Sequence, residues 1–125
     1  MIEKLASILI VEDDISSQQY YAVILEEDYD FHMVPSAAAA KTALKDKKFD
    51  LAIVDLSLSG NEDGLSLIKY MRSHLGLDMP ILAISAHAFP INREATLEAG
   101  ASEYYSKPIL SGDLLKAVNR HSPEV

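Results

Sequence analysis

Cysteine is absent from the 125 residues. That excludes a disulfide framework and a thiolate zinc site, so the chain must hold together through its core. Long apolar stretches are also missing. None approaches the roughly 18 residues of a membrane span, and the first residues lack the layout of a secretory signal. The expectation is a cytoplasmic protein without membrane attachment. Positive charge is scarce, with 11 Lys and Arg against 19 Asp and Glu and a formal net charge of −8. Direct nucleic-acid binding needs a basic face, so this balance points instead to docking on other proteins or to binding cations.

Hydrophobic residues make up 49% of the chain and charged residues 24%, a globular composition. The length is that of one domain, residues 1–125, which buries roughly two-thirds of its unfolded surface. Within it, Leu51-Ala52-Ile53-Val54 runs directly into Asp55. A short unbroken apolar run reads as a strand covered on both faces, as in a parallel sheet. Asp55 then stands at the carboxyl end of that strand, the edge where open α/β sheets place their ligands.

Similar runs recur along the chain. Ser7 to Val11 ends in Glu12, Asp13 and Asp14, and Ile81 to Ser85 is a further buried strand. Tyr29 to Val34 is a weaker, alternating strand ended by Pro35, and Ser102 to Ser106 is a short fifth strand followed by Lys107-Pro108. Between them lie helical patterns. Asp14 can cap a helix over Ile15–Leu25, and Ser36 a helix from Ala37 to Leu44. Lys45 to Lys48 reads as a solvated turn. Leu65, Leu67, Ile68 and Met71 follow at helical spacing. Pro90 and Gly100 suit the first turn and the carboxyl cap of a fourth helix, and Ser111 suits the cap of a last one. Strands alternating with helices predict βαβ units and a parallel sheet.

Such a sheet gathers Glu12, Asp13, Asp55, Ser85 and Lys107 at one edge. Three carboxylates repel one another unless an oxygen-seeking cation intervenes, and Mg²⁺ takes one or two carboxylates and several waters. A carboxylate, Mg²⁺, an ammonium and a hydroxyl form the equipment for phosphoryl transfer onto Asp55. Singly, an acid after a strand is a helix cap, a serine is a turn residue and Lys-Pro is a loop. Four such features at successive strand ends resist that reading. No two of the four His have metal-ligand spacing. His32, His74 and His121 read as surface residues, while His87, two residues past Ser85, can overhang the site. Tyr20 and Tyr21 read as packing residues of the first helix.

The segments Ile8-Leu9-Ile10-Val11-Glu12-Asp13, Phe49 to Gly64, Ile84-Ser85-Ala86 and Tyr104-Tyr105-Ser106-Lys107-Pro108 resemble the receiver domain of two-component and phosphorelay response regulators. The resemblance covers the chain from about Ser7 to its last helix. It implies a flavodoxin-like fold with strand order 2-1-3-4-5 flanked by five helices. It also implies that Asp55 is the phosphoacceptor. Glu12, Asp13 and Asp55, with the backbone carbonyl of Ser57, would bind Mg²⁺. Ser85, Tyr104 and Lys107 would be the phosphoryl-binding and switch residues, and Ser57 and His87 would tune the lifetime. The implied partner is a sensor histidine kinase or histidine phosphotransfer protein, docked near Ile15 and Gln18. The only chemistry implied is self-catalysed phosphoryl transfer and autodephosphorylation, so the protein would be a switch rather than an enzyme. The sequence departs from the family after Asp55: Ser59 replaces the usual proline, and Asn61-Glu62-Asp63-Gly64 carries one extra residue.

Two alternatives use overlapping residues. A haloacid-dehalogenase-type phosphatase wants a second Asp two residues after the nucleophile, where Ser57 stands. A pseudo-receiver that only binds partners usually loses the acidic pair or the lysine, and both are present. The last helix runs close to Val125, consistent with a stand-alone regulator or a receiver cut from a larger protein whose output is unknown.

Overall fold

In a computed structural model of the protein, the residues described are 4–58, 63–86 and 90–123, the side chains of Pro90 and Ile91 excepted. Five strands alternate with five helices: β1 (Ser7–Val11), α1 (Ile15–Leu25), β2 (Asp30–Val34), α2 (Ala37–Asp46), β3 (Leu51–Asp55), α3 (Gly64–Lys69), β4 (Ile81–Ser85), α4 (Pro90–Ala99), β5 (Glu103–Ser106) and α5 (Ser111–His121). A wider π-helical turn, Tyr70–His74, continues α3. All pairings are parallel, in the order β2-β1-β3-β4-β5. This is the flavodoxin-like arrangement.

The unbroken apolar runs follow from burial on both faces. In β1, Ile8 and Ile10 pack with Tyr21 and Leu25 of α1 and with Leu114, Ala117 and Val118 of α5. The alternate residues Leu9 and Val11 pack with Ala37, Ala40 and Ala43 of α2 and with Leu67 and Ile68 of α3. β3 divides likewise, Leu51 and Ile53 to the first layer and Ala52 and Val54 to the second. Each such Ile or Leu, withdrawn fully from water, contributes about 1.5–3 kcal/mol, so stability is concentrated in the three central strands.

The ends of the elements differ in places from the sequence expectation. Asp14 and Ser36 do cap α1 and α2, accepting from the backbone amides of Ser17 and Ala39. However, α2 runs two residues past Leu44, to Asp46. Lys45 and Asp46 tolerate helix, and Lys45 in the last turn suits the negative end of the helix dipole. The turn is therefore Lys47 to Asp50. Leu110, not Ser111, is the N-cap of α5, and no side chain caps that end. Asp63 caps α3 by accepting from the Ser66 amide at 2.8 Å. Gly100 follows α4 with φ +121.

Registry positions the site. Val11 pairs with Val54, Asp55 with Ile84, and Ser85 with Ser106. The next residue on β1 is Glu12 and the next on β5 is Lys107, so four strand ends meet around Asp55.

Candidate functional site

Asp55 closes β3 with only 4% of its surface exposed. Its Oδ1 accepts from the Ser57 amide at 2.9 Å, and its Oδ2 accepts from the Lys107 ammonium at 3.1 Å. Lys107 also donates to Glu12 Oε1 at 2.9 Å. One cation thus bridges two acids that are remote in sequence. The backbone that carries Lys107 is fixed as well, because its amide donates to the Ser85 carbonyl at 2.8 Å.

Glu12 is fully buried. Its Oε2 accepts from the Asp14 amide at 3.2 Å, and its carbonyl accepts from the Gln18 side chain at 2.6 Å. Burial, followed by the hydrogen bond it shares with Asp55, pushes its carboxyl up to about 7, with the Lys107 ammonium pulling the other way. Burial works against the charge on Lys107, but the hydrogen bonds to Glu12 and Asp55 outweigh it and hold the ammonium above the usual lysine range. Nearby, burial and the charges of the acidic cluster keep the Tyr21 phenol protonated beyond the ordinary tyrosine range.

Glu12, Asp13 and Asp55 each offer a carboxylate oxygen, and these oxygens lie within 4.8 Å of one another. Three hard oxygen donors at that spacing suit a small divalent cation such as Mg²⁺. The exposed Ser57 stands two residues after Asp55 in the chain. Buried Ser85 lines a cleft of about 190 Å³ with Ser57, Asp63, Asn92 and Thr96. Tyr104 is half-buried against the layer formed by α2, α3 and α4. His87 and the altered loop at 59–62 lie outside the described residues.

Three contributors were not singled out from the sequence for the parts they play here. Gly64 lets α3 start directly against β3, since a Cβ there would stand 2.2 Å from the Asp55 carbonyl oxygen. Thr96 is a buried polar residue whose hydroxyl donates to the Asn92 carbonyl at 2.6 Å. The Tyr20 hydroxyl donates to the Ile109 carbonyl at 2.8 Å, tying α1 to the loop beyond Lys107. Only Gly64 left a sequence signal, as the glycine that ends the run Asn61-Glu62-Asp63-Gly64.

Next to the carboxylates, a second cleft of about 280 Å³ separates α1 from the loop after β5. Its lining includes Ser16, Ser17, Tyr20, Lys107, Pro108 and Leu110. Tyr20 and Leu110 are exposed apolar residues of this rim, and Ile15 and Val23 are exposed along α1.

Residues 8–119 match the response regulator receiver domain family. The chain is 34% identical over 114 residues to the transcriptional regulatory protein GltR of Pseudomonas aeruginosa, covering 90% of this chain and 47% of that protein. It is 34% identical over 123 residues to the response regulator RppA of Synechocystis, covering 94% and 52%. The chain therefore spans about half the length of these curated relatives. Among solved structures, a CheY-like response regulator receiver domain protein from Methanospirillum hungatei superposes with a TM-score of 0.85 at 29% identity, covering 94% of this chain and 93% of that one.

Proposed function

Because the chain belongs to the response regulator receiver domain family, we propose that it accepts a phosphoryl group on Asp55 from a phosphohistidine of a sensor kinase or phosphotransfer protein. Asp55 attacks phosphorus in line, the bond from phosphorus to the donor imidazole breaks, and an acyl phosphate forms. Water later cleaves that bond and restores the carboxylate. The chemistry is confined to the protein's own side chain, so the protein acts as a switch and not as a turnover enzyme.

The observation that carries this reading is the burial of Asp55 with the Lys107 ammonium 3.1 Å from one of its oxygens. That ammonium is placed to meet charge developing on the phosphoryl oxygens. Glu12, Asp13, Asp55 and the Ser57 carbonyl would hold Mg²⁺, which when bound supplies charge neutralisation for an incoming phosphate. Ser85 offers its hydroxyl to a phosphoryl oxygen, and Tyr104 follows that movement. By the family resemblance, Ser57 and His87 would tune the lifetime of the phosphoryl group. The exposed apolar rim on α1 and Leu110 supports docking of the donor beside the acceptor. A cytoplasmic setting follows from that partner.

Incubation with a small acyl phosphate and Mg²⁺ is expected to add one phosphoryl group by intact mass to the wild type and none to Asp55→Asn. An undiminished yield in the variant would move the acceptor elsewhere. Ser85→Ala keeps Asp55 and Lys107, so it is expected to accept phosphate but to show a smaller beryllofluoride-induced shift of the Tyr104 ring signals. A full shift would remove Ser85 from the switch.

A further inference from the structure

At the opposite edge of the sheet, the turn before β3 and the loop before β4 enclose a cleft of about 240 Å³ lined by Leu44, Lys47, Lys48, Phe49, Leu77 and Met79. We propose that this cleft docks an acidic segment of a partner protein, which inserts one aromatic or leucine side chain between the two lysines. The site lies a strand length from Asp55 and is independent of the phosphoryl chemistry.

Three observations support it. The first is size and lining. The floor is apolar, and a dry cavity of about 150 Å³ already accepts benzene, so one large side chain fits here.

The second is charge. In a chain of net charge −8, four lysines fall between positions 41 and 48. Lys41 is occupied over the Tyr70 ring at 4.2 Å. Lys47 lies 5.3 Å from the Phe49 ring centroid, so its ammonium stands against an aromatic residue that lines the cleft. Among the described residues, neither Lys47 nor Lys48 forms an ion pair. Asp46, Asp50 and Asp78 flank the turns but do not line the cleft, and Asp50 is committed to the Ser7 amide at 2.8 Å. Lys47 and Lys48 both line the cleft, so a carboxylate docked there is drawn by two lysines that have no ion pair among the described residues.

The third is preorganisation, which lowers the ordering cost of binding. One Arg72 nitrogen takes the carbonyls of both Leu77 and Met79, at 2.8 and 2.6 Å, while Arg72 Nε takes the Gly100 carbonyl at 2.9 Å. The Leu77 amide donates to the Met71 carbonyl at 3.0 Å. The wall is thus pinned through its backbone, leaving the Leu77 and Met79 side chains to form the pocket. His32 packs edge-on to Phe49 with ring centroids 6.2 Å apart and steadies the floor.

The test is an NMR titration of the whole protein with the capped peptide Glu-Glu-Phe-Glu-Glu. Glu-Glu-Ala-Glu-Glu, Lys-Lys-Phe-Lys-Lys and phenylacetate serve as the other arms. Saturable shifts centred on Leu44, Phe49, Leu77 and Met79 are expected for the acidic phenylalanine peptide, with the other arms at least about tenfold weaker. The double substitution Lys47→Glu with Lys48→Glu is expected to weaken that peptide at least about tenfold. Both side chains are exposed, so signals around Asp55 should keep their positions and report an intact fold. Absent or unsaturable shifts, shifts centred elsewhere, equal binding by the alanine or lysine peptide, or unchanged affinity in the double variant would each overturn the proposal. Phenylacetate binding as tightly as the peptide would do so too, by making the occupant a small anion.

Discussion

Glu12, Asp55 and Ser85, at the carboxyl edge of the sheet, are buried, whereas Lys47, Lys48 and Asp78, near the amino ends of β3 and β4, are exposed. The strands between the two edges are the same, and so is the core that covers them. At the amino edge the usual rule holds: charges face water and apolar groups face inward. At the carboxyl edge two acids are withdrawn from water and share a single cation, an arrangement that costs stability unless the charges are paired. The contrast shows where the fold departs from what is best for folding, and it does so around the group proposed to react.

The largest difference is expected between two glycines. Gly64→Ala at the carboxyl edge would drive a Cβ into backbone, 2.2 Å from the Asp55 carbonyl oxygen and 2.8 Å from the Leu56 Cα. Neither atom can move without shifting β3 or α3, so a loss of about 2–4 kcal/mol is expected in urea unfolding. Gly76→Ala at the amino edge meets nothing within 4 Å and suffers only from its φ of +64, about 1–2 kcal/mol. Equal losses would break the comparison.

Lysines should divide the same way. Lys107→Gln removes the cation between Glu12 and Asp55. In metal-free buffer at pH 8 it is expected to cost about 1–3 kcal/mol, less than a fully buried pair because Lys107 is partly solvated. Lys48→Gln should stay within about 0.5 kcal/mol. Matching values from chemical denaturation would show that Lys107 is no more than a surface charge.

A smaller effect is expected from pH. The Glu12 carboxyl is raised from 4.5 to about 7 in the folded chain, so between those values the native state binds the proton more tightly than the unfolded state does. Its contribution to stability is therefore full below about 4.5 and is lost as pH rises through about 7. Asp14 and Glu103 are held below their ordinary values and titrate beneath this window. Glu12→Gln should flatten the slope, the wild type losing about 1–2 kcal/mol relative to the variant between pH 5 and pH 8 without metal. Mg²⁺ added at pH 8 should restore part of the loss in the wild type. Identical pH profiles for the two proteins would mean that Glu12 is ordinarily solvated.

The central strands were legible because burial on both faces leaves no room for polar alternation. The runs that end at Val11, Asp55 and Ser85 coincide with β1, β3 and β4. α1 matched its expected span because Asp14 supplies a local cap, and the convergence of Glu12, Asp13, Asp55 and Lys107 followed from parallel strands alone. Element ends set by weak local preferences were harder to read. α2 continues through Lys45 and Asp46 because nothing there breaks a helix, and Ser111 enters α5 as its first residue and leaves Leu110 as the cap. The role of Asp63 as a cap was hidden in a loop rich in turn-forming residues.

What the sequence by itself determined is therefore the alternation of elements, the parallel sheet and the residues presented at its carboxyl edge, because periodicity and local caps are encoded over a few neighbouring positions. Only the tertiary structure decided the rest. Lys107 reaches Glu12 across 95 residues and Asp55 across 52. Gly64 is required by a backbone that passes over it, and Arg72 gathers carbonyls from two separate loops. The elevated proton affinity of Glu12 arises from burial and from Asp55 on the next strand. Each of these depends on distances between segments remote in the chain, which no local pattern of residues can record.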